Sequence, residues 1–409
     1  MNVRRLISVW GLLLITLCVS DAFAAGFYLP GRGVKPNGRA GAFVASGGQD
    51  LNSLWYNPAN LAGMDELQLT VDMAFVALLF DFHRDSRTLE NGDVLEYESV
   101  SNSSAPQVDP QVLIGGPLTQ DLTWAFGIYA PYFTPTTFPE KGPQRYVLVD
   151  TAGSILAFLH FAMAYEVSKS FRIGAGVQWV PAQFKVVNMV SAYTGLFGDP
   201  EDPDLDILSK ITMTSLLSFS GNIGLWWKVA EQVEFGASFQ APVVFSDDNA
   251  EFESRLPSHP VFNNAELNGN QMSGAIKFPA VVRAGFRLVQ PAWDLELTLT
   301  YEGWSIFEEI QANPQEVAVT GVPGLGSIPV GPLSIPMNWQ DTLSVRLGGD
   351  FDLSETLTLR GGYAFETSAV PDSYYSVFIA DGQKHVFAFG GSFDFGGWSL
   401  EATASYYFI

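Results

Sequence analysis

Residues 38–62 read Gly-Arg-Ala-Gly-Ala-Phe-Val-Ala-Ser-Gly-Gly-Gln-Asp-Leu-Asn-Ser-Leu-Trp-Tyr-Asn-Pro-Ala-Asn-Leu-Ala. This stretch is rich in small residues and lacks the alternation of apolar and polar side chains that marks a β-strand. The chain beyond it alternates repeatedly. A compact segment of small residues ahead of many strands is typical of a plug inside a β-barrel, so we assign residues 25–65 to such a plug.

The first residues have the features of a secretion signal. Arg4 and Arg5 precede an apolar run that is too short to span a membrane, and Ala22-Phe23-Ala24 forms a small-residue cleavage site. We therefore assign residues 1–24 to a signal peptide that is cleaved after Ala24. Cys18 is the chain's only cysteine and lies within the signal, so the mature chain is expected to have no disulfides.

Residues 66–409 show the period-two pattern of strands whose side chains point to opposite faces. One example places Phe171, Ile173, Ala175, Val177 and Trp179 on one face and Arg172, Gly174, Gly176 and Gln178 on the other. A sheet can satisfy its backbone in hydrocarbon only by closing. The pattern predicts an all-β fold, a transmembrane antiparallel β-barrel. A soluble β-sandwich is the alternative, but it does not explain the signal and the 13% aromatic residues together.

The alternation places thirteen strands, whereas bacterial single-chain barrels have even numbers of strands. The placed strands are 67–82, 107–117, 122–132, 153–168, 171–188, 211–229, 232–246, 271–289, 293–310, 339–353, 356–368, 384–395 and 398–409. The long connections are predicted to be extracellular loops, namely 83–106, 133–152, 190–210, 247–270, 311–338 and 369–383.

The composition excludes some classes of function. The net charge of −22 argues against nucleic acid as a partner. The acidic runs 199–206 and 247–253 are interpreted as solvated loops rather than a metal site. No Ser–His arrangement points to a hydrolase and no local cluster of metal ligands occurs, so neither enzymatic activity nor a cofactor or metal is expected.

Charged residues in the strands must face the barrel interior, because Arg or Lys facing lipid costs roughly 2–4 kcal/mol. One interpretation is a set of ion pairs that joins plug and wall. The other is that one guanidinium binds a ligand carboxylate through paired hydrogen bonds, with Arg283 or Arg360 as the candidates. His160, between Leu159 and Phe161, is also predicted to face inward. The inward set is Arg172, Arg283, Arg287, Arg346, Arg360, Glu234, Glu296, Glu302 and Glu366.

Several motifs resemble the FadL family of outer-membrane transporters for hydrophobic compounds. They are Ala25-Gly26-Phe27, Gly38-Arg39-Ala40 and Asn57-Pro58-Ala59 near the N-terminus, followed by Phe278-Pro279-Ala280, Trp304-Ser305-Ile306-Phe307 and the stretch from Arg360 to Asp381. The resemblance covers the mature chain. A plugged barrel would capture a hydrophobic ligand at its outer loops and pass it to a pocket in the lumen. The resemblance implies a barrel of about fourteen strands, release by a shift of the plug's N-terminus, and a sideways exit through a gap in the wall.

Candidate residues for these steps follow from their positions. The plug residues Gly38, Arg39, Asn57, Pro58 and Ala59 are assigned to fastening and gating, since Asn-Pro is a turn signal. The ligand-binding candidates are Phe27, Tyr28 and Leu29 at the mature N-terminus, Leu196, Phe197, Phe252 and Phe262 in loops, and His160, Arg283 and Arg360 in the lumen. Phe27, Tyr28 and Leu29 would alternatively only pack the plug against the wall.

The sequence therefore predicts diffusive uptake of hydrophobic compounds across a Gram-negative outer membrane, with long-chain fatty acids as the expected ligands. Uptake of aromatic hydrocarbons, a general porin and a structural or adhesive surface barrel are the alternatives. The expected partners are the hydrophobic ligand, outer-membrane lipid and the barrel-assembly machinery. The barrel is expected to be a monomer.

Overall fold

The computed structural model describes residues 32–46, 50–89, 92–132, 135–193, 199–324, 326–379 and 381–408. Its main element is an antiparallel sheet of thirteen strands, which we call the wall, in which each strand pairs with the next. Within the described residues the wall thus has one strand fewer than the about fourteen expected. Its strands are Gln68–Val76, Gln107–Pro117, Leu122–Tyr129, Phe158–Ser168, Phe171–Trp179, Phe219–Ala230, Val233–Gln240, Val281–Gln290, Trp293–Glu302, Thr342–Asp352, Leu357–Glu366, Lys384–Asp394 and Ser399–Phe408.

The two faces of the wall differ as the alternation predicts. In strand Trp293–Glu302 every second residue is buried, and the residues between them are exposed. Leu297 and Leu299 lie on the exposed outer face, whereas Glu296 and Thr298 are fully buried on the inner face. An apolar outer face suits lipid, and the polar inner face needs partners inside.

Several strands that the alternation predicts as continuous are interrupted. The predicted strand 171–188 ends at Trp179 and resumes at Ala182, on either side of Pro181. Pro242 and Pro279 lie at the same kind of break in 232–246 and 271–289. Proline lacks the N–H that a ladder needs and fixes φ, so it ends pairing in the middle of a sheet. The predicted strands 153–168, 211–229 and 293–310 also divide, at Ala157, at 216–218 and at 303–308.

Beyond these breaks the chain forms a second sheet of seven strands. Parts of the predicted loops 190–210, 247–270 and 311–338 are therefore strands, because the chain keeps pairing after it leaves the wall. The second sheet contains Ile155–Leu156, Ala182–Ser191, Asp206–Ser215, Val243–Arg255, Gln271–Phe278, Glu309–Gln315 and Leu333–Pro336.

Short strands and turns of 3₁₀-helix complete the connections. The short strands are Asp81–Phe82, Arg87–Thr88, Val94–Leu95, Val100–Ser101, Glu266–Asn268, Ala318–Thr320 and Ile328–Pro329. The 3₁₀-helices are Pro58–Leu61, Pro203–Leu205, Pro260–Phe262, Trp304–Ile306 and Asp372–Tyr374. Among the described residues, no helix has the length and apolar character needed to cross a membrane.

Residues 32–46 and 50–65, which we call the N-terminal segment, pack against the inner face of the wall. They contain the α-helices Val34–Gly38 and Ser53–Tyr56, and most of their side chains are buried. Glycines on the wall allow this close approach. A Cβ on Gly174 would lie 2.5 Å from the backbone of Pro58 and Ala59, and one on Gly236 would lie 2.1 Å from the carbonyl oxygen of Val44.

Candidate functional site

Arg39 attaches the N-terminal segment to the wall by charge. Its guanidinium is fully buried and lies 2.7 Å from Asp294, 3.2 Å from Asp350 and 3.7 Å from Glu296. The carboxylate of Glu296 also accepts hydrogen bonds from the segment, from the backbone N–H groups of Val44 and Ala45 at 2.6 and 2.9 Å. Wall and segment therefore share one buried network of charges.

Asn57 makes a second attachment through its amide. Its Nδ2 donates to the carbonyl oxygens of Val44 at 2.8 Å and of Leu225, on the wall, at 2.9 Å. Its Oδ1 accepts from Ala59 N–H and caps the 3₁₀-helix that starts at Pro58. The predicted Asn-Pro turn thus joins two parts of the segment to a wall strand.

We expect Asn57→Ala to lower the free energy of unfolding by about 2–3 kcal/mol, because it removes two hydrogen bonds to buried carbonyl oxygens and the cap of the 3₁₀-helix. Urea unfolding of the refolded protein in detergent measures this. Asn60→Ala is the matched control, since Asn60 donates to the same Val44 oxygen at 3.0 Å and has no recorded bond to the wall. Equal losses in the two variants would contradict a special role for the link to Leu225.

Most inward-facing arginines are held in ion pairs. Arg346 lies 2.6 Å from Glu366 and donates to the carbonyl oxygen of Ala40 in the N-terminal segment at 3.2 Å. Arg360, one of the two candidates for a ligand carboxylate, contacts Asp350 at 3.6 Å and Glu401 at 3.1 Å. Further pairs are Arg172–Glu166, Arg287–Glu234, Arg287–Asp294, Lys384–Glu366 and Lys384–Asp381. This arrangement favours the structural interpretation for these arginines, Arg360 included.

Arg283 differs from them. Its side chain is buried, and it forms no ion pair with the described residues, although the buried carboxylate of Glu302 is near enough to interact with its charge. Its Nη2 atom is buried without a hydrogen-bond partner. The guanidinium lies over two rings of the N-terminal segment, 5.2 Å from the centroid of Trp55 and 6.0 Å from that of Tyr56. Cation–π contacts offset only part of the cost of burying this charge, so the position suits an anion.

An aromatic column leads away from Arg283. Trp55 makes edge contacts with Tyr132 at 6.4 Å, and Tyr132 packs on Phe278 at 4.7 Å. The contacts continue to Trp304 at 6.4 Å and from there to Trp339 at 5.0 Å. All five side chains belong to one buried apolar cluster, which also includes residues of the second sheet. The cluster is continuous apolar packing that extends from the second sheet to Arg283.

His160 is fully buried and lies within a polar network of the wall. Tyr129 Oη lies 2.6 Å from its Nδ1, and Asn222 Oδ1 lies 3.0 Å from its Nε2. Asn222 in turn donates to the carbonyl oxygen of Leu54 in the N-terminal segment. Because both ring nitrogens of His160 have partners, the geometry favours a structural role over the predicted contact with ligand.

An apolar cavity of about 440 Å³, which we call the outer cavity, is lined by the second sheet and by the short strands Glu266–Asn268, Ala318–Thr320 and Ile328–Pro329. The two loop candidates that lie within the described residues, Phe252 and Phe262, both line it. Tyr193 and residues 328–333 form much of the rest of the lining of this cavity. Two phenylalanines that are ten residues apart in sequence are therefore brought to one concave surface, as loop capture requires.

A second cavity of about 330 Å³, the inner cavity, adjoins the first. Phe184, Met213 and Ile310 line it and also belong to the apolar cluster that reaches Trp55. These three residues were not predicted as a site from the sequence. Their alternation marked them only as strand residues, and the cavity forms because strands distant in sequence pair in the second sheet.

The sequence predicts a solvated loop for the acidic run 199–206, but several of its carboxylates are held by other side chains. Arg84 forms two hydrogen bonds with Glu201 at 2.8 and 2.9 Å, and Tyr97 donates to the same carboxylate. Burial raises the pKa of Glu201, but the hydrogen bonds from Arg84 and Tyr97 outweigh it and hold the pKa below its usual value. Arg145 pairs with Asp206 at 2.6 Å. The run is thereby fixed beside the outer cavity.

The remaining candidates differ in what the structure says of them. Gly38 ends the first helix, where a Cβ would lie 2.7 Å from the side chain of Arg360, so it allows close packing against the wall. Five candidates lie outside the described residues, namely Phe27, Tyr28, Leu29, Leu196 and Phe197.

Comparisons with known proteins agree with this architecture. The long-chain fatty acid transport protein of Salmonella typhi is 21% identical over 93% of this chain and 86% of its own length. The crystal structure of a Pseudomonas aeruginosa FadL homologue superposes with a TM-score of 0.73, at 18% identity, over 94% of this chain and 91% of that one. The Ralstonia pickettii toluene transporter TbuX gives a TM-score of 0.61 at 14% identity, over 92% and 93% of the two chains.

A family model described as outer membrane protein transport protein (OMPP1/FadL/TodX) matches residues 15–408. The match covers nearly the whole sequence. It confirms the predicted resemblance, the barrel fold class, the outer-membrane location and a function in transport of hydrophobic compounds. The chain therefore belongs to the OMPP1/FadL/TodX family of outer-membrane transport proteins.

Proposed function

We propose that this protein takes up long-chain fatty acids by diffusion and binds their carboxylate at Arg283. The observation that carries the proposal is the buried guanidinium of Arg283, which lacks an ion pair within the described residues and lies at the end of the aromatic column. A carboxylate supplies the charge and the paired acceptors that this group lacks. The fatty acid transport protein of Salmonella typhi supports the same ligand class.

The route begins at the outer cavity, where Phe252 and Phe262 take the apolar chain out of water. Each square ångström of apolar surface buried there contributes about 25 cal/mol. The ligand then passes the inner cavity and the aromatic column. Since Trp55 lies over Arg283, access to the guanidinium requires the N-terminal segment to shift. Residues 25–65 thus act as the plug, with Arg39 and Asn57 as its fastenings.

Other parts of the proposal rest on the sequence and on the family. Phe27, Tyr28 and Leu29 contribute to the lumenal pocket, and Leu196 and Phe197 contribute to capture. The ligand leaves sideways through the wall, and no energy source is required. The barrel works as a monomer in outer-membrane lipid, where the barrel-assembly machinery inserts it.

Aromatic hydrocarbons are the second candidate ligands. One observation favours them, namely that none of the described residues that line the outer or the inner cavity is charged. An uncharged hydrocarbon would bind in these cavities and would not need Arg283.

Equilibrium titration of the refolded protein with oleate, methyl oleate, toluene and a neutral sugar tests the proposal. We expect saturable oleate binding that Arg283→Gln weakens about tenfold or more, since a charge-assisted hydrogen bond contributes about 1.5–3 kcal/mol. Methyl oleate, which has no charge, should lose much less. The matched control is Arg360→Gln, which removes an ion-paired arginine of the same inner face.

Two results would contradict the proposal in different ways. Toluene binding without oleate binding would favour a hydrocarbon channel. Absence of any saturable apolar ligand, together with open conductance of the wild type in a planar bilayer, would indicate a porin.

A further inference from the structure

The outer and inner cavities meet along a shared boundary. Three residues line both of them, namely Val190, Ser191 and Leu333. Val190 and Ser191 end a long strand of the second sheet, which fixes their backbone. Leu333 begins the short strand Leu333–Pro336, which pairs with one neighbour in that sheet.

The chain passes from one cavity to the other at Leu333. Residues 328–332 line only the outer cavity, whereas Ser334 and Ile335 line only the inner one. Leu333 is half-buried and packs against the apolar cluster that extends to Trp55. Leu333 is therefore the apolar boundary residue that lies on the edge strand of the second sheet.

The small size of the two cavities makes Leu333 important for the length of the ligand. Pockets for drug-sized ligands have volumes of about 300–1,000 Å³, and each of the two cavities lies in the lower half of that range. A short apolar molecule fits within one cavity. A long chain that binds in an extended form, and not coiled within one cavity, continues past Leu333 and buries further methylenes, each of which contributes about 0.8 kcal/mol.

We propose that Leu333 determines the chain length of the apolar molecules that the protein accepts, by controlling whether one molecule can occupy both cavities. This inference rests on the proposed function, since it concerns the same uptake route. It assigns specificity for chain length to the outer part of the route, and this specificity does not depend on whether Arg283 binds the ligand's carboxylate.

Binding of hexanoate, dodecanoate, stearate and toluene to the full-length refolded protein tests the inference. Leu333→Trp should weaken stearate binding about tenfold relative to hexanoate and toluene, because the indole blocks the passage. Leu333→Ala should raise the ratio of stearate to hexanoate affinity several-fold. Ile328→Ala, which changes only the outer cavity, and Ile335→Ala, which changes only the inner one, are the matched controls.

The controls and the wild type separate the ways in which the idea would fail. If Ile328→Ala and Ile335→Ala shift the stearate-to-hexanoate ratio as much as Leu333→Ala does, a boundary role for Leu333 is wrong. If the wild type binds the probes but neither Leu333 variant changes the ratio of stearate to hexanoate affinity, this inference is overturned and the proposed function is left intact. A wild type that binds none of the four probes would overturn both.

Discussion

Arg39→Met is expected to lower the free energy of unfolding by about 3–5 kcal/mol and to make the barrel leak ions. Removing one partner of a buried charge network leaves the other charges uncompensated, which accounts for a loss of this size. Asp350 would be affected most, because its remaining recorded ion-pair contact is Arg360 at 3.6 Å. Asp294 keeps Arg287 at 2.9 Å.

The leak follows from what surrounds Arg39. A polar cavity of about 420 Å³ adjoins the network and is lined in part by Asp294, Asp350 and Arg360. If the N-terminal segment loosens at Arg39, this cavity gives ions a path along the inner face. Conductance of single proteins in a planar bilayer measures the leak, and urea unfolding measures the stability.

Lys35→Met is the control for this experiment. Lys35 lies on the same helix as Gly38, and its ion pair with Asp50, at 3.6 Å, is partly exposed and lies within the segment itself. Partly exposed pairs contribute about 0–1 kcal/mol, so little change is expected. An Arg39→Met protein that unfolds and conducts like the wild type would show that this arginine does not fasten the N-terminal segment to the wall.

The sequence was sufficient for the wall because its period-two pattern has a direct physical cause. Residues such as Leu297 and Glu296 must lie on opposite faces, and only one face can meet lipid. The breaks were harder to predict. Pro181 and Pro242 lie within alternating runs, and only the structure shows that the chain leaves the wall there and continues in a second sheet.

The sequence could not predict which of two arginines in one strand is ion-paired, because ion pairing depends on the register between strands. Arg287 lies opposite Glu234 on one neighbouring strand and Glu296 on the other. Arg283, four residues earlier, lies opposite Ser238 and Thr300. A shift of the register by one residue would place apolar residues such as Phe235 and Leu297 opposite Arg287 instead. The alternation alone therefore could not distinguish Arg283 from the ion-paired arginines, whereas the geometry does.

Gly361 and Gly362 are neighbours in strand Leu357–Glu366, but substitution of one is expected to have a much larger effect than substitution of the other. A Cβ on Gly362 would lie 2.3–2.6 Å from backbone atoms of Arg39 and Ala40. Backbone atoms cannot move aside as the end of a side chain can. On Gly361, which points the other way, the nearest atom to a Cβ would be the carbonyl oxygen of Ala388 at 3.8 Å, an ordinary contact.

Gly362→Val is therefore expected to destabilise docking of the N-terminal segment by about 3 kcal/mol or more, at the upper end of what overpacking costs. Gly361→Val should be neutral or slightly stabilising, since valine suits a strand better than glycine does. Gly362→Ala adds only the Cβ and provides a milder form of the same wedge, in case the valine variant does not fold.

Heat-dependent migration in gel electrophoresis reports whether each barrel is folded, and bilayer conductance reports whether the N-terminal segment is docked on the wall. We expect Gly361→Val to be folded and closed, and Gly362→Ala to be folded but leaky. Equal behaviour of the Gly361 and Gly362 variants would contradict the close packing of segment on wall. A folded and closed Gly362→Val protein would go further, because it would show that the N-terminal segment does not dock on this strand at all.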